Sequence, residues 1–243
     1  MRMGYRLLRV VAQGFFVLYG RGRVFAVQHV PVTGPVLLAC NHQSFFDPML
    51  AALALPRECH FMARDTLFRN RHFTHLIRYL NAFPVKRGRA DVGAIKESLR
   101  RLKQGALVIA FPEATRTRDG RIIPMQAGIV ALARRANCPI VPTVIEGAYE
   151  SWPRNQVLPA CAPVWVEYGR AIEVREVSAL GPDEAARYLT ARLRSMHNAL
   201  RRRIGRQPFD YEDSPVPTGE AAAGGDLLPQ QAGPTRELRG LCR

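Results

Sequence analysis

"GPVLLACNHQSFFDPMLAAL", residues 34–53, reads as a strand, a break and a helix. Val36 to Cys40 form a nearly continuous apolar run behind a Gly-Pro turn signal, the pattern of a strand buried on both faces. Asp47-Pro48 then opens an apolar segment, with Asp47 expected at the helix N-cap and Pro48 at N1. His42 and Asp47 fall in and around the break. On an unbroken helix of about 3.6 residues per turn, five residues rotate by roughly 500°, which leaves two such side chains about 140° apart. The imidazole and the carboxylate can meet only if the backbone between them is irregular.

The same alternation continues on both sides. "VFAVQHV" (24–30) has a partial strand pattern. "ECHFMA" (58–63), "ALVIAF" (106–111), "IVPTVI" (140–145) and "VWVEYG" (164–169) read as strands, and "AFPVKRG" (82–88) as a short strand ending in a loop. Between them, "LFRNRHFTHLIRYL" (67–80) is a basic, aromatic helix. Val92, Ile95, Leu99 and Leu102 mark an amphipathic helix over 91–104, closed by Gly105. Another helix near 127–137 ends before Cys138-Pro139, and Leu189, Leu193, Met196, Leu200 and Ile204 trace a long last one. Strands alternating with helices predict an α/β domain with a mostly parallel or mixed central sheet flanked by helices.

The chain carries a formal charge of +15, with a pI near 10.6, which implies an anionic partner. From Tyr211 the last 33 residues hold five acidic and three basic residues, so the first 210 carry a net +17. That Pro-, Gly-, Ala- and Gln-rich stretch, 211–243, reads as a disordered tail. Five scattered cysteines without a C-x-x-C argue against both a disulfide framework and a zinc cluster. His72 and His75 are three apart, but no nearby carboxylate or thiolate completes a metal site.

No run reaches the roughly 18 to 20 apolar residues that span a bilayer. Residues 1–23 nevertheless read as an amphipathic helix. Arg2, Arg6, Arg9 and Gln13 recur at steps of four, three and four, and Leu7, Leu8, Val10, Val11, Phe15 and Leu18 cover much of the rest. Such a helix can lie in an anionic membrane interface, placing the protein on the cytoplasmic face as a peripheral or monotopic protein. The alternatives are a helix packed on the domain's own core and a cleaved signal, although Arg6 and Arg9 interrupt the apolar region a signal needs.

In α/β sheets, chemistry gathers at the carboxyl ends of strands. Here "NHQSFFD" (41–47) and "FPEATRT" (111–117) each follow an expected strand, and "FPVKRG" (83–88) ends a third. Together they resemble the glycerolipid acyltransferases typified by 1-acylglycerol-3-phosphate acyltransferase. That family's block N-H-x4-D matches Asn41, His42 and Asp47. Its G-A-F-P-V-x-R matches "NAFPVKR" ending at Arg87, and its F-P-E-G-T-R-S matches "FPEATRT". Its I-V-P-V matches "IVPT" around Pro142. The order and spacing agree from about residue 24 to 170, which makes 24–210 the expected acyltransferase domain.

The resemblance implies acyl transfer from a thioester, acyl-coenzyme A or acyl carrier protein, to the sn-2 hydroxyl of lysophosphatidate, giving phosphatidate. No other cofactor and no metal are implied. His42 would be the general base and Asp47 would hold its tautomer; imidazole titrates near neutral pH, which suits the role. Arg87 and Arg116 would bind the acceptor phosphate through their guanidinium forks. Glu113 and Thr115 would belong to the acceptor site, Glu113 orienting Arg116 or holding a glycerol hydroxyl. Asn81 and Ala114 stand where the family blocks have glycine; if that position of the third block needs positive φ, Ala114 is strained by roughly 1 kcal/mol or more. Thr117 and Thr143 are milder departures. Arg187, Arg194 and Arg201, at steps of seven, read as a solvated face, or as a contact for anionic lipid or coenzyme A phosphates. Acylation of another lysolipid or of glycerol 3-phosphate stays open within this class. A nucleic-acid-binding protein is suggested by charge alone, with no DNA or RNA motif beside it. A non-catalytic membrane scaffold is disfavoured by the intact His42/Asp47 pair.

Overall fold

The chain begins with an 18-residue helix, α1 (Met3–Gly20). The described residues of the computed structural model are 2–20, 22–86, 91–211 and 236–237, with backbone alone at 17–20 and 236–237. Strand β1 (Arg23–Phe25) stops where Ala26 takes φ 56° and turns the chain into a 3-10 segment, Val27–His29. The extended run expected to Val30 is therefore cut short. β2 (Val36–Cys40), α2 (Asp47–Leu53) and β3 (Cys59–Arg64) follow in the expected order. The basic, aromatic helix is split into a 3-10 turn, Asp65–Phe68, and α3 (Arg71–Tyr79). Asn70 makes the division: its side chain accepts the Phe73 N–H at 3.0 Å and starts a new helix inside the run.

Next come β4 (Ala82–Val85), α4 (Val92–Lys103), β5 (Leu107–Ala110), α5 (Gly128–Ala136) and β6 (Ile140–Glu146). Then follow α6 (Ala148–Ser151), β7 (Trp165–Tyr168), α7 (Val174–Ser178), α8 (Pro182–Arg203) and the two-residue β8 (Arg236–Glu237). The strands lie in the order β4-β3-β5-β2-β6-β7-β1-β8. The first five run parallel; β7 and β1 are parallel to each other and antiparallel to them, so the sheet is mixed. β2 sits between β5 and β6, the place where crossovers leave in both directions and where an open α/β sheet leaves a crevice at its carboxyl edge.

β2 is buried along its whole length, and its alternate residues divide two cores. Leu38 and Cys40 pack under α1 and α2, with Phe16, Phe46, Leu50 and Tyr168. Leu37 and Ala39 pack under α4, α5 and α8, with Leu102, Ile129, Leu189 and Leu193. The cysteines at 40, 59, 138 and 161 are free, and the first three are buried. Most of the expected tail lies outside the described residues. Tyr211, where it was to begin, packs against the domain, its hydroxyl accepting the Ile122 N–H at 3.1 Å.

The orientation of α1 reverses the simple reading of its polar stripe. The last carbonyls of a helix lack intrahelical donors, and α2 ends beneath α1. Gln13 donates to the Leu53 carbonyl at 2.6 Å, and Arg9 donates to the Leu55 carbonyl. Arg2 pairs with Glu58 at 3.0 Å and donates to the Tyr79 carbonyl and the Asn81 side chain, each at 2.7 Å. The polar stripe thus docks the helix to the domain, together with buried Tyr5 and Phe16. Arg6 stays exposed, beside an exposed apolar stripe of Met3, Leu7, Val10 and Val11. Among the described residues no helix is long and apolar enough to cross a membrane.

Candidate active site

The break after β2 is held by side chains turned back on the backbone. Asn41 extends the sheet: its Nδ2 donates to the Ile145 carbonyl at 2.9 Å and its Oδ1 accepts the Ile145 N–H at 2.7 Å. Asp47, fully buried, is not the expected N-cap. It is the first residue of α2, and its Oδ2 faces backwards to accept the N–H groups of Gln43 at 2.6 Å and Ser44 at 2.7 Å. The same oxygen meets His42 Nδ1 at 2.7 Å. Three donors on one carboxylate oxygen curl residues 42–47 into a tight turn, and this overcomes the 140° separation a helix would impose.

The third block closes over the turn. Phe111 stacks on the His42 ring, with centroids 4.4 Å apart. The Thr117 N–H donates to the His42 carbonyl at 2.8 Å. Glu113 Oε1 accepts the His42 N–H at 2.9 Å, and Oε2 reaches the Ile123 N–H at 3.5 Å. Glu113 is therefore tied to the backbone of His42. Burial pushes its carboxyl up to about 8, with Asp47 adding to the rise, while the two backbone N–H groups and Arg194 act against it.

Arg116 is half-buried, its guanidinium stacked over the Phe45 ring with Cζ 3.5 Å from the centroid. Thr115 is exposed at the rim of the loop. His42, Asp47 and Glu113 thus form one hydrogen-bonded cluster, and Arg116 joins it through Phe45 of the same turn. Arg87 lies outside the described residues. Both departures from the family glycines fall on left-handed backbone: Asn81 has φ 67° and Ala114 has φ 57°. Asparagine tolerates this region, and its side chain here also bonds Arg2 and Glu58. Alanine has no such compensation.

A second cluster lies on the opposite side of β2. Glu146 ends β6 and is buried. His197 Nε2 of α8 meets its Oε2 at 2.6 Å, Arg206 donates to Oε1 at 2.7 Å, and Arg201 donates there too. Gln43 joins this carboxylate to the 42–47 turn. Its Nε2 reaches Glu146 Oε2 at 3.3 Å and the Gly120 carbonyl at 3.1 Å, and its Oε1 accepts the Tyr149 N–H at 3.2 Å. Burial would raise Glu146, but the bonds from His197 and Arg206 and the charge of Arg201 hold it down at about 2. Gly147 must be glycine: φ is 86°, and a Cβ would stand 2.0 Å from the Pro163 carbonyl oxygen. The basic face expected on α8 is divided accordingly. Arg201 and Arg194 turn inward, Arg194 donating to the Ile122 carbonyl at 3.1 Å, while Arg187 is exposed. Sequence reasoning passed over Gln43, Glu146 and His197; the available signal was an acidic residue closing an apolar strand at the sheet's carboxyl edge.

A buried imidazole lies against a fully buried carboxylate at the carboxyl end of a central parallel strand of an α/β sheet. The family model described as Acyltransferase matches residues 23–146, just over half of the chain, and the chain belongs to that family. It is similar to a Bacillus subtilis protein named 1-acyl-sn-glycerol-3-phosphate acyltransferase, 30% identical over 131 residues, covering 54% of this chain and 65% of that one. A Cocos nucifera protein of the same name is 31% identical over 132 residues, covering 53% of this chain and 43% of that protein. The matches thus span less than two thirds of these relatives' lengths. Among solved structures, the fold resembles that of the 1-acyl-sn-glycerophosphate (LPA) acyltransferase PlsC from Thermotoga maritima. The TM-score is 0.67 at 22% identity, over 79% of this chain and 78% of that one.

Proposed function

We propose that this protein transfers a fatty acyl group from a thioester, acyl-coenzyme A or acyl carrier protein, to the sn-2 hydroxyl of lysophosphatidate, giving phosphatidate for phospholipid synthesis. The observation that carries the proposal is the 2.7 Å contact between His42 Nδ1 and Asp47 Oδ2. A carboxylate oxygen only accepts, so the imidazole proton sits on Nδ1 and Nε2 is left to act as base. Nε2 takes the proton of the acceptor hydroxyl as its oxygen attacks the thioester carbonyl. The tetrahedral intermediate collapses, the carbon–sulfur bond breaks, and the leaving thiolate takes the proton back from the imidazolium. The products are the ester and the free thiol. Asp47 stabilises the imidazolium between the two transfers. Arg116, with Arg87 from the second block, holds the acceptor phosphate, and Thr115 lies at the same rim. The names of the similar proteins support lysophosphatidate over other acceptors.

The acceptor and product are membrane lipids, and the outward stripe of Met3, Leu7, Val10 and Val11 gives the domain an apolar face to set against an anionic bilayer surface, with Arg6 beside it. This reading makes the protein peripheral or monotopic on the cytoplasmic face.

The test is phosphatidate formation by purified protein from lysophosphatidate and each thioester donor, in wild type and His42→Ala. The expected result is acyl transfer lost by at least about 10²-fold in the variant, with the fold retained by circular dichroism and a modest drop in melting temperature, since buried Asp47 loses one of its three donors. Near-wild-type turnover in His42→Ala overturns the assignment.

A further inference from the structure

Phe45 sits midway between the base and its carboxylate, and it is 47% exposed. A large aromatic side chain held open to solvent beside a catalytic histidine contributes little to the core. Its ring is nevertheless engaged. Arg116 Cζ stands 3.5 Å from its centroid, closer than in any other arginine–aromatic stack among the described residues. Trp152 packs against Phe45 with centroids 4.9 Å apart, and against Phe46 at the same distance. Trp152 is itself anchored to the turn, because Ser44 Oγ donates to its carbonyl at 2.9 Å. The ring under Arg116 is therefore backed by a fixed support.

We infer that Phe45 is a positioning residue: it sets the plane of the Arg116 guanidinium and so places the acceptor phosphate relative to His42. The inference rests on the reading of Arg116 as a phosphate ligand. A stacked guanidinium keeps its N–H donors in a plane parallel to the ring, so the stack itself consumes none of them. Arginine is long and rich in rotamers, and fixing it before substrate arrives removes an ordering cost from binding. The shelf and the base also share one six-residue turn, 42–47, locked by three bonds to Asp47 Oδ2. In lysophosphatidate the attacking hydroxyl and the phosphoester oxygen stand on adjacent carbons. A fork fixed by the same turn as the base therefore fixes the hydroxyl at Nε2, and a shelf that moved would misplace it.

The experiment is a double-mutant cycle on acceptor KM, using the intact chain, lysophosphatidate, and monoacylglycerol as the acceptor without phosphate. Arg116→Ala is expected to raise the lysophosphatidate KM about 10- to 100-fold. Phe45→Ala is expected to raise it about 3- to 10-fold and to leave the donor KM unchanged. It should have no effect on monoacylglycerol KM. Phe45→Tyr should restore wild-type behaviour, since it keeps the ring, and Phe45→Ala should add nothing in the Arg116→Ala background. A Phe45→Ala effect that multiplies fully with Arg116→Ala, or that falls equally on both acceptors, overturns the inference while the phosphate reading stands. An Arg116→Ala protein with unchanged lysophosphatidate KM overturns the phosphate reading, and the inference with it.

Discussion

Glu113 and Glu146 flank the strand that leads into His42, one beyond β5 and the other at the end of β6, and both are almost completely buried. Their protonation runs in opposite directions, to about 8 for Glu113 and about 2 for Glu146. Burial raises both. The difference lies in what replaces the lost water: two backbone N–H groups around Glu113, against His197, Arg201 and Arg206 around Glu146. Peptide dipoles position a carboxyl without fully compensating its charge, whereas two guanidinium groups and an imidazole bond compensate it and tie distant segments together. Each grips the same turn, Glu113 through the His42 N–H and Glu146 through the Gln43 amide.

The comparison breaks most visibly at Glu146. Glu146→Ala leaves Arg201, Arg206 and His197 facing a buried gap, which is expected to cost about 3–5 kcal/mol of stability. Equilibrium urea unfolding measures it; a loss under 1 kcal/mol would show that the cage is ornamental. The folded value of Glu146 lies below the usual 4.5, so its contribution is present above about pH 4.5 and fades as pH falls towards 2.

Glu113 gives the opposite limb. Its folded value is raised above 4.5, so between about pH 4.5 and about pH 8 the folded chain keeps a proton that the unfolded chain releases. Stability falls as pH rises through that window, by on the order of 1 kcal/mol per pH unit at most, and levels off above it. Glu113→Gln keeps an acceptor for the His42 N–H and removes the titration. Its stability is expected to be flatter than wild type across that window. Identical profiles from the two proteins would mean that Glu113 ionises normally.

The turn around His42 was legible because its parts are local: an apolar strand, a five-residue spacing and an Asp-Pro step. The strand alternation was equally local, and it yielded the α/β sheet. The Glu146 cage was not, because His197 and Arg206 lie 51 and 60 residues away and nothing in their own segment shows which way they point. The same limit explains α1. Periodicity showed a polar stripe, but the direction of the stripe was set by carbonyls at the end of α2 and just beyond it, Leu53 and Leu55, which a one-helix pattern cannot contain. Arg201 was placed on a solvated face for that reason as well. Asp47 was placed one position early, because its backward bonds to Gln43 and Ser44 compete with capping.

The smallest expected effect sharpens how Glu113 is aimed. Ala114, the next residue, has φ 57°, and its N–H donates to the Phe111 carbonyl at 3.0 Å, closing the turn that swings Glu113 back under His42. A left-handed non-glycine residue costs roughly 1–2 kcal/mol. Glycine removes that strain, but it costs about 0.4–1 kcal/mol in unfolded-state entropy. Ala114→Gly is therefore expected to gain about 0.5–1 kcal/mol, read as a small rise in melting temperature. If strain at 114 were what presses Glu113 into its buried position, the variant's stability between pH 4.5 and 8 would flatten towards that of Glu113→Gln. If the two backbone donors suffice, the slope is kept while the whole curve rises. The 2.9 Å bond from the His42 N–H favours the second outcome, because that donor belongs to β2's own turn and does not move with Ala114. A loss of stability in Ala114→Gly would show that the left-handed turn is not the strained element of the site.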